Sequence, residues 1–277
     1  RYAKCHLPNY GVFDEFRNFG QGEGSLIARF RGVDIAVVIC EDIWQDGGVM
    51  PEIASRNPGL LLVINGSPFE SDKDDTRAAL ISRRARELSA PVAYVNMVGG
   101  QDELVFDGDS LIANSHGEIL ARAPQFHEGT MLVDVQSAVR TSTPDVVITD
   151  PELAPYPMIS PRVAPELDRG GELWSALVTG LRDYVAKGGF PSVLLGLSGG
   201  IDSALTATLC ALTCSKTILV NMPIRQTQAE LNRALEQMAA LKKAHSNVSL
   251  QEIDLTPSFN ILEASLGLDP ALQHLAL

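Results

Sequence analysis

Between positions 141 and 165 the chain reads TSTPDVVITDPELAPYPMISPRVAP, where six prolines (Pro144, Pro151, Pro155, Pro157, Pro161 and Pro165) fall without any helical period. Proline lacks a backbone donor and fixes its own φ, so this stretch cannot continue a helix from either side. It is expected to be a linker. The division then runs 1–140 for a first domain, 141–165 for the linker and 166–277 for a second domain. With 277 residues, 45% of them hydrophobic and 20% charged, the chain has enough material for two modest cores.

Upstream of the prolines, VDIAVVI (33–39) has the length and β-branched content of a buried strand, and GLLLVING (59–66) and PVAYVNMVGG (91–100) repeat the type. The intervening segment 74–90 puts Ala78, Ile81, Ala85 and Leu88 at helical spacing with charge on its other face. Strand, helix, strand in that order predicts a layered α/β domain. LVFDGDSLIANSHGEILARAP then reads as paired strands turning at Ser115–Gly117. Downstream, Leu173, Leu177, Leu181 and Val185 stand at four-residue spacing and are followed by Gly188, Gly189 and Pro191, which predicts a helix with a glycine stop.

A net charge of −12, with no run of Lys or Arg, gives a field that repels phosphate backbones and anionic membranes. Nucleic acid and membrane are therefore not the expected partners. No apolar stretch approaches the roughly 20 residues of a membrane span, and residues 1–20 do not read as a signal peptide, so a soluble cytoplasmic protein is expected. Four cysteines in a chain of this length are not a disulfide scaffold. Cys210 and Cys214 share a helical spacing, but the five histidines add no ligand pattern and no zinc site is expected. Because Arg1 opens inside what reads as a structured segment and Leu277 carries no terminal punctuation, the sequence is expected to be a fragment.

The densest chemical signal is GLSGGIDSA (196–204), directly after the apolar run SVLLGL. It lacks the Lys-Ser/Thr of a Walker loop and the spacing of a dinucleotide fingerprint. A strand, a glycine loop and a helix starting near Asp202 nevertheless form an anion-binding arrangement, because helix N-terminal amides and the helix dipole attract negative charge. Backbone amides at Ser198, Gly199 and Gly200 can wrap a diphosphate, the Ser203 hydroxyl can donate to it, and Asp202 is placed to meet a magnesium ion riding on it. The competing reading makes Asp202 a simple helix cap in a glycine turn.

SGGIDS resembles the pyrophosphate loop of the N-type ATP pyrophosphatases, and LVNMPIRQTQAE (219–230), a strand ending in Met-Pro, resembles the adenine-side strand of NAD synthetases, although IRQTQ departs from the usual Ser/Tyr-rich continuation. In the first domain, RYAKCHLPNYGVFDEFRNF, VVICEDIW, NGSPFESDK and the stretch 99–126 resemble the nitrilase-like glutaminase domain of glutamine-dependent NAD synthetases. The resemblance implies an α/β chain in which a nitrilase-like α-β-β-α sandwich precedes a Rossmann-like parallel α/β ATP pyrophosphatase domain, both incomplete. It also implies Cys40 as nucleophile, Lys4 as oxyanion stabiliser and Glu15 as a second glutamate beside them. Tyr10, Ser67 and Lys73 are the implied glutamine contacts. Gly196, Ser198, Gly199, Gly200, Ile201, Asp202, Ser203 and Met222 are the implied ATP contacts, with Asp202 also on Mg²⁺.

By the same resemblance, glutamine supplies ammonia, ATP adenylates deamido-NAD, and ammonia displaces AMP, in a homo-oligomeric enzyme acting on small molecules. The family's general-base glutamate lies upstream of its lysine, in a segment that has no counterpart here. Glu41 or Asp42 could be proposed as substitutes, but a residue adjacent in a strand projects away from the cysteine's side, so neither is expected to be the base. In isolation Cys40 would read as a small core hydrophobe. Another amidotransferase of the ATP pyrophosphatase class, or a non-catalytic binding domain, are the alternative readings.

Overall fold

The computed structural model describes residues 1–71, 73–137, 143–149, 154 and 156–266, apart from the side chains of residues 73 and 74. The chain divides into two compact units, Arg1–Thr179 and Gly180–Leu277.

The first unit is organised by three apolar runs that pair in parallel. These are β2 (Val33–Ile39), preceded by β1 (Ile27–Phe30), then β3 (Leu60–Asn65) and β4 (Val92–Asn96). Parallel strands need crossovers, supplied by α1 (Val49–Ser55) between β2 and β3 and by α2 (Lys73–Leu88) between β3 and β4. The register is uninterrupted, with Ile39 opposite Ile64, Ile64 opposite Val95 and Asn65 opposite Asn96. Ala36, Val38, Leu61, Val63, Val92 and Tyr94 point to the helix-covered face and build the core with Ile53, Leu80, Ile81, Ala85 and Leu88. On the other face, Ile64 and Val95 are each 58% exposed.

The segment 91–100, expected as one strand, breaks at Met97 and resumes as β5 (Val98–Gln101), which pairs antiparallel with β6 (Leu104–Asp107) in a separate ribbon. The predicted hairpin is β7 (Leu111–Ala113) with β8 (Ile119–Arg122), closed by a turn in which Gly117 has φ +81°. Within the proline-containing segment, β9 (Val146–Thr149) pairs with β1 and completes a seven-stranded sheet ordered β8-β7-β4-β3-β2-β1-β9. Four residues without proline are enough for this edge position. Arg56 fixes it in place: its guanidinium pairs with Asp145, whose Oδ2 also accepts from the Ile27 amide at 2.7 Å.

The amphipathic segment forms α3 (Arg169–Lys187), although Leu173 and Leu177 remain about half exposed and only Val185 of its apolar stripe is buried. The second unit continues as β10 (Val193–Gly196), α4 (Ile201–Thr213), β11 (Thr217–Asn221), α5 (Gln228–Ala244), β12 (Val248–Glu252) and α6 (Thr256–Leu266). Its three strands are all parallel in the order β10-β11-β12. Leu197, Ala207, Ala211, Leu219, Met238 and Val248 form the core of this unit.

A buried charge pair braces the first unit. Arg77 of α2 is fully buried and donates to both carboxylate oxygens of Asp107 at 2.6 and 2.9 Å. Replacing Asp107 with Ala strands that guanidinium in the core without its main counter-charge. Urea denaturation followed by circular dichroism should show the first unit losing about 3–5 kcal/mol.

Candidate active site

β2 stops one residue short of Cys40, and Cys40–Ile43 form a 3₁₀ turn. Cys40 opens that turn in the left-handed region, φ +46°, where an L side chain is strained by roughly 1–3 kcal/mol. The strain turns the thiol off the end of the strand and out of the core. Burial pushes the thiol above its ordinary value, the Lys4 charge and a hydrogen bond from the Gly66 backbone pull it back, and Glu41 and Glu15 add to the rise. The charges of Lys4 and Glu15 both act on Cys40, and the two side chains are joined to each other. The Lys4 ammonium lies 2.7 Å from each carboxylate oxygen of Glu15, and both side chains are largely buried.

Glu41 and Asp42 follow Cys40 on the 3₁₀ turn, not on a strand, so the alternation argument used above does not apply to them. Their partners decide the matter instead. The Glu41 carboxylate accepts from the Tyr10 hydroxyl at 2.8 Å and from Gln45 Nε2 at 2.6 Å. Burial together with the Glu41 carboxylate pushes the Tyr10 hydroxyl up to about 12. Asp42 is fully buried and engaged with Tyr2, Cys5, His6 and Ile39.

Ser67 lies beyond the end of β3. Its amide donates to Asn96 Oδ1 at 2.9 Å, and Asn96 Nδ2 returns a bond to the Ser67 carbonyl at 3.2 Å. Asn96 also reaches Asp107, the partner of Arg77. Asn96 was missed in the sequence. The signal was the shared ending of VIN and YVN, which places an asparagine on the last residue of both β3 and β4. Lys73 opens α2, and its side chain lies outside the described residues.

In the second unit, the loop after β10 runs Leu197-Ser198-Gly199-Gly200 into α4. Gly199 has φ +83°, and a Cβ there would sit 2.8 Å from the Glu230 carbonyl, so only glycine fits without displacing α5. Ser203 Oγ faces Ser198 Oγ at 3.1 Å and donates to the Gly200 carbonyl at 3.1 Å, closing the loop on the first helical turn. Gly200, not Asp202, is the helix cap. Asp202 sits in the exposed first turn, its carboxylate open to solvent beside the free amides that every helix start presents. Ile201 is exposed, and Met222 follows β11 with its methyl so near Gly196 that a Cβ on that glycine would lie 2.9 Å away. Among the described residues, no cluster of three or more His, Cys, Asp or Glu is arranged to hold a metal, and no helix is long and apolar enough to cross a membrane.

Comparison with known proteins adds the family. The carbon-nitrogen hydrolase profile matches residues 1–145, more than half of the chain. The chain belongs to the carbon-nitrogen hydrolase family. The NAD synthase profile matches residues 173–272 of this carbon-nitrogen hydrolase. Curated relatives include the glutamine-dependent NAD(+) synthetases of Xylella fastidiosa, 38% identical over 271 residues, and Xanthomonas campestris, 39% identical over 272; each alignment covers 96% of this chain and 46% of the relative. The chain thus spans about half the length of the curated relatives it matches. A solved glutamine-dependent NAD+ synthetase from Acinetobacter baumannii, in complex with ADP, superposes with a TM-score of 0.77 at 33% identity, over 98% of this chain and 47% of that one. The enzyme from Cytophaga hutchinsonii shares the fold, with a TM-score of 0.68 at 17% identity over 98% of this chain and 50% of that one.

The reactivity of Cys40 should follow its surroundings. Iodoacetamide reacts with the thiolate, so the alkylation rate of Cys40, read by peptide mass spectrometry, should inflect at a pH above that of an unperturbed thiol. Lys4→Met removes the cation that favours the thiolate and should move the inflection higher still. An unmoved inflection would mean that Lys4 does not reach the sulfur.

Proposed function

We propose that this chain carries the glutamine-hydrolysing centre and the ATP pyrophosphate loop of a glutamine-dependent NAD(+) synthetase. The observation that carries the reading is the convergence of Lys4, Glu15 and the strained Cys40, in the same chain as a glycine-cradled SGGIDS loop. Neither feature has a use in a scaffold. The profile matches to both halves and the relatives named above support it.

In this reading the Cys40 sulfur attacks the side-chain amide carbon of glutamine, and the Lys4 ammonium receives the negative charge that develops on the amide oxygen. Glu15 holds that ammonium in place through its two short bonds. Glu41 is engaged by Tyr10 and Gln45, and Asp42 by donors on both of its oxygens, so in this reading neither serves as the general base. That role falls to the glutamate which the family resemblance places upstream of the lysine. Tyr10 with Glu41, Ser67 with Asn96, and Lys73 orient the glutamine. Ammonia leaves, and water clears the acyl group from the sulfur.

At the second site, ATP enters with its Mg²⁺ as substrate. The residues fit this group: Asp202 offers an exposed carboxylate for the ion, and the amides of Ser198 and Gly200, bonded to the exposed hydroxyls of Ser203 and Ser198, can exchange those partners for phosphate oxygens. Gly196, Ser198, Gly199, Gly200, Ile201 and Ser203 line the phosphate side, and Met222 borders the adenine side. The amides and Ser203 bear the charge of departing pyrophosphate as AMP passes to the nicotinate carboxylate of deamido-NAD. Ammonia then displaces AMP. The complete enzyme is expected to act as a homo-oligomer in the cytoplasm.

In the complete gene product, Cys40→Ala should abolish glutamine-driven NAD formation and leave ammonia-driven formation intact, as read by product assays with each nitrogen donor. Equal loss of both would mean that the change acts through folding.

Asp202→Asn separates metal binding from helix stabilisation. As a first-turn acid that does not cap the helix, Asp202 is worth at most about 1 kcal/mol of stability. Its loss from the ion on the triphosphate should lower AMP and pyrophosphate formation roughly 100-fold or more. Glutamine hydrolysis and the melting temperature should stay near their parental values, and a variant that still adenylates deamido-NAD at full rate would make the loop a structural turn.

A further inference from the structure

Lys4 belongs to no helix or strand; residues 1–9 run as irregular chain. Something other than a backbone ladder must therefore set the position of its ammonium. Glu15 holds the ammonium itself, and the Gly22 amide donates to the Lys4 carbonyl at 2.8 Å. The backbone on either side of Lys4 is tied to a fully buried carboxylate two residues beyond Cys40. Asp42 Oδ1 accepts from the amides of Cys5 at 3.0 Å and His6 at 2.8 Å, and lies 3.1 Å from His6 Nδ1. Its Oδ2 accepts from the Tyr2 hydroxyl at 2.7 Å and from the Ile39 amide at 3.2 Å. The donors bracket Lys4 on both sides in sequence, and Ile39 is the residue just before the nucleophile.

We propose that Asp42 is the positioning residue of the glutaminase centre: its carboxylate clamps the segment 2–6 onto the Cys40 turn and so sets the Lys4 ammonium beside the sulfur. The proposal rests on the reading of Cys40 and Lys4 given above. A carboxylate is required because both oxygens face donors. An amide of the same shape would present its own N–H groups to one of these sets and open the clamp on that side. A buried carboxylate left with fewer donors is costly, so the clamp is also tight. Asp42 does not touch the amide of glutamine in this scheme. It acts only through Lys4 and the Cys40 backbone, whereas Glu15 holds the ammonium directly.

The test uses the complete gene product with Asp42→Asn, Lys4→Met and the double variant. Asp42→Asn should lower the glutaminase kcat about 100-fold, the scale of loss when a reacting group is misplaced by an ångström. The glutamine KM should stay within about threefold, and ammonia-driven NAD formation near parental, by the same kind of estimate. A merely structural role would not move the chemistry of the thiol, so the deciding readout is the pH dependence of Cys40 alkylation. It should shift upward in Asp42→Asn, in the same direction as in Lys4→Met. The double variant should lose no more activity than Lys4→Met alone, since a positioning residue has nothing left to position. Additive losses, or an unshifted alkylation profile, overturn the proposal. Full glutaminase activity in Asp42→Asn beside a dead Lys4→Met overturns it alone, while full activity in Lys4→Met overturns the reading of the site beneath it. If Asp42→Asn does not fold, Tyr2→Phe deletes one donor to Oδ2 without burying an unpaired charge. A smaller upward shift of the alkylation profile is then expected, and no shift counts against the clamp.

Discussion

The in-register parallel pairing of β2, β3 and β4 is the constraint on which the first unit depends. Because Ile39, Ile64 and Val95 lie side by side, the residues that follow them, Cys40, Asn65 to Ser67 and Asn96, emerge at one edge of the sheet. Parallel strands all finish at the same end, so side chains far apart in sequence arrive together without any need for sequence proximity. A slip of one residue in β3 would move Ile64 to the helix face and carry Ser67 away from Asn96. The core of Ala36, Val38, Leu61, Val63 and Val92 opposes that slip, since each residue on the wrong face would give up its apolar burial.

Charge buried behind that edge holds the edge in shape. Arg77 binds Asp107, Asp107 accepts from Asn96, and Asn96 holds both backbone groups of Ser67. Nearby, Arg122 pairs with Asp109 and with Glu166. Such pairs add little net stability over apolar residues of equal volume, because desolvation offsets most of their attraction. They do impose direction, which an apolar contact cannot. Asp42 follows the same logic, its carboxylate ringed by donors from two separate segments.

Much of this was legible in the sequence. The β-branched runs announced β2, β3, β4 and β10, the 3.6 period announced α2 and α3, and the glycine pattern at 198–200 announced the loop, since these signals are local. The break of 91–100 into β4 and β5 was not legible, because the mostly apolar run continues through Met97 and Val98 and only the partner strands decide where pairing ends. Val146–Thr149 hid among prolines for a related reason: a four-residue edge strand leaves almost no pattern. At the site, Lys4, Glu15 and Cys40 could be named from family resemblance, but the hydrogen-bonding around them by Asp42, and around Ser67 by Asn96, could not. Both are polar residues whose burial only the tertiary structure reveals.

The two sites solve one problem with opposite side chains. Each lies where a parallel strand ends and the backbone must turn through left-handed φ, at Cys40 with +46° and at Gly199 with +83°. At Gly199 the missing Cβ lets the loop lie against the Glu230 carbonyl of α5, and glycine holds the left-handed φ without strain. At Cys40 an L side chain occupies the left-handed region, and a penalty on the order of 1–3 kcal/mol has to be absorbed by the surroundings. The clamp at Asp42, two residues along and saturated with donors, is the surrounding that can absorb it. The loop after β10 is held differently, by bonds among the exposed backbone and hydroxyl groups of Ser198, Gly200 and Ser203, where the first unit uses buried carboxylates.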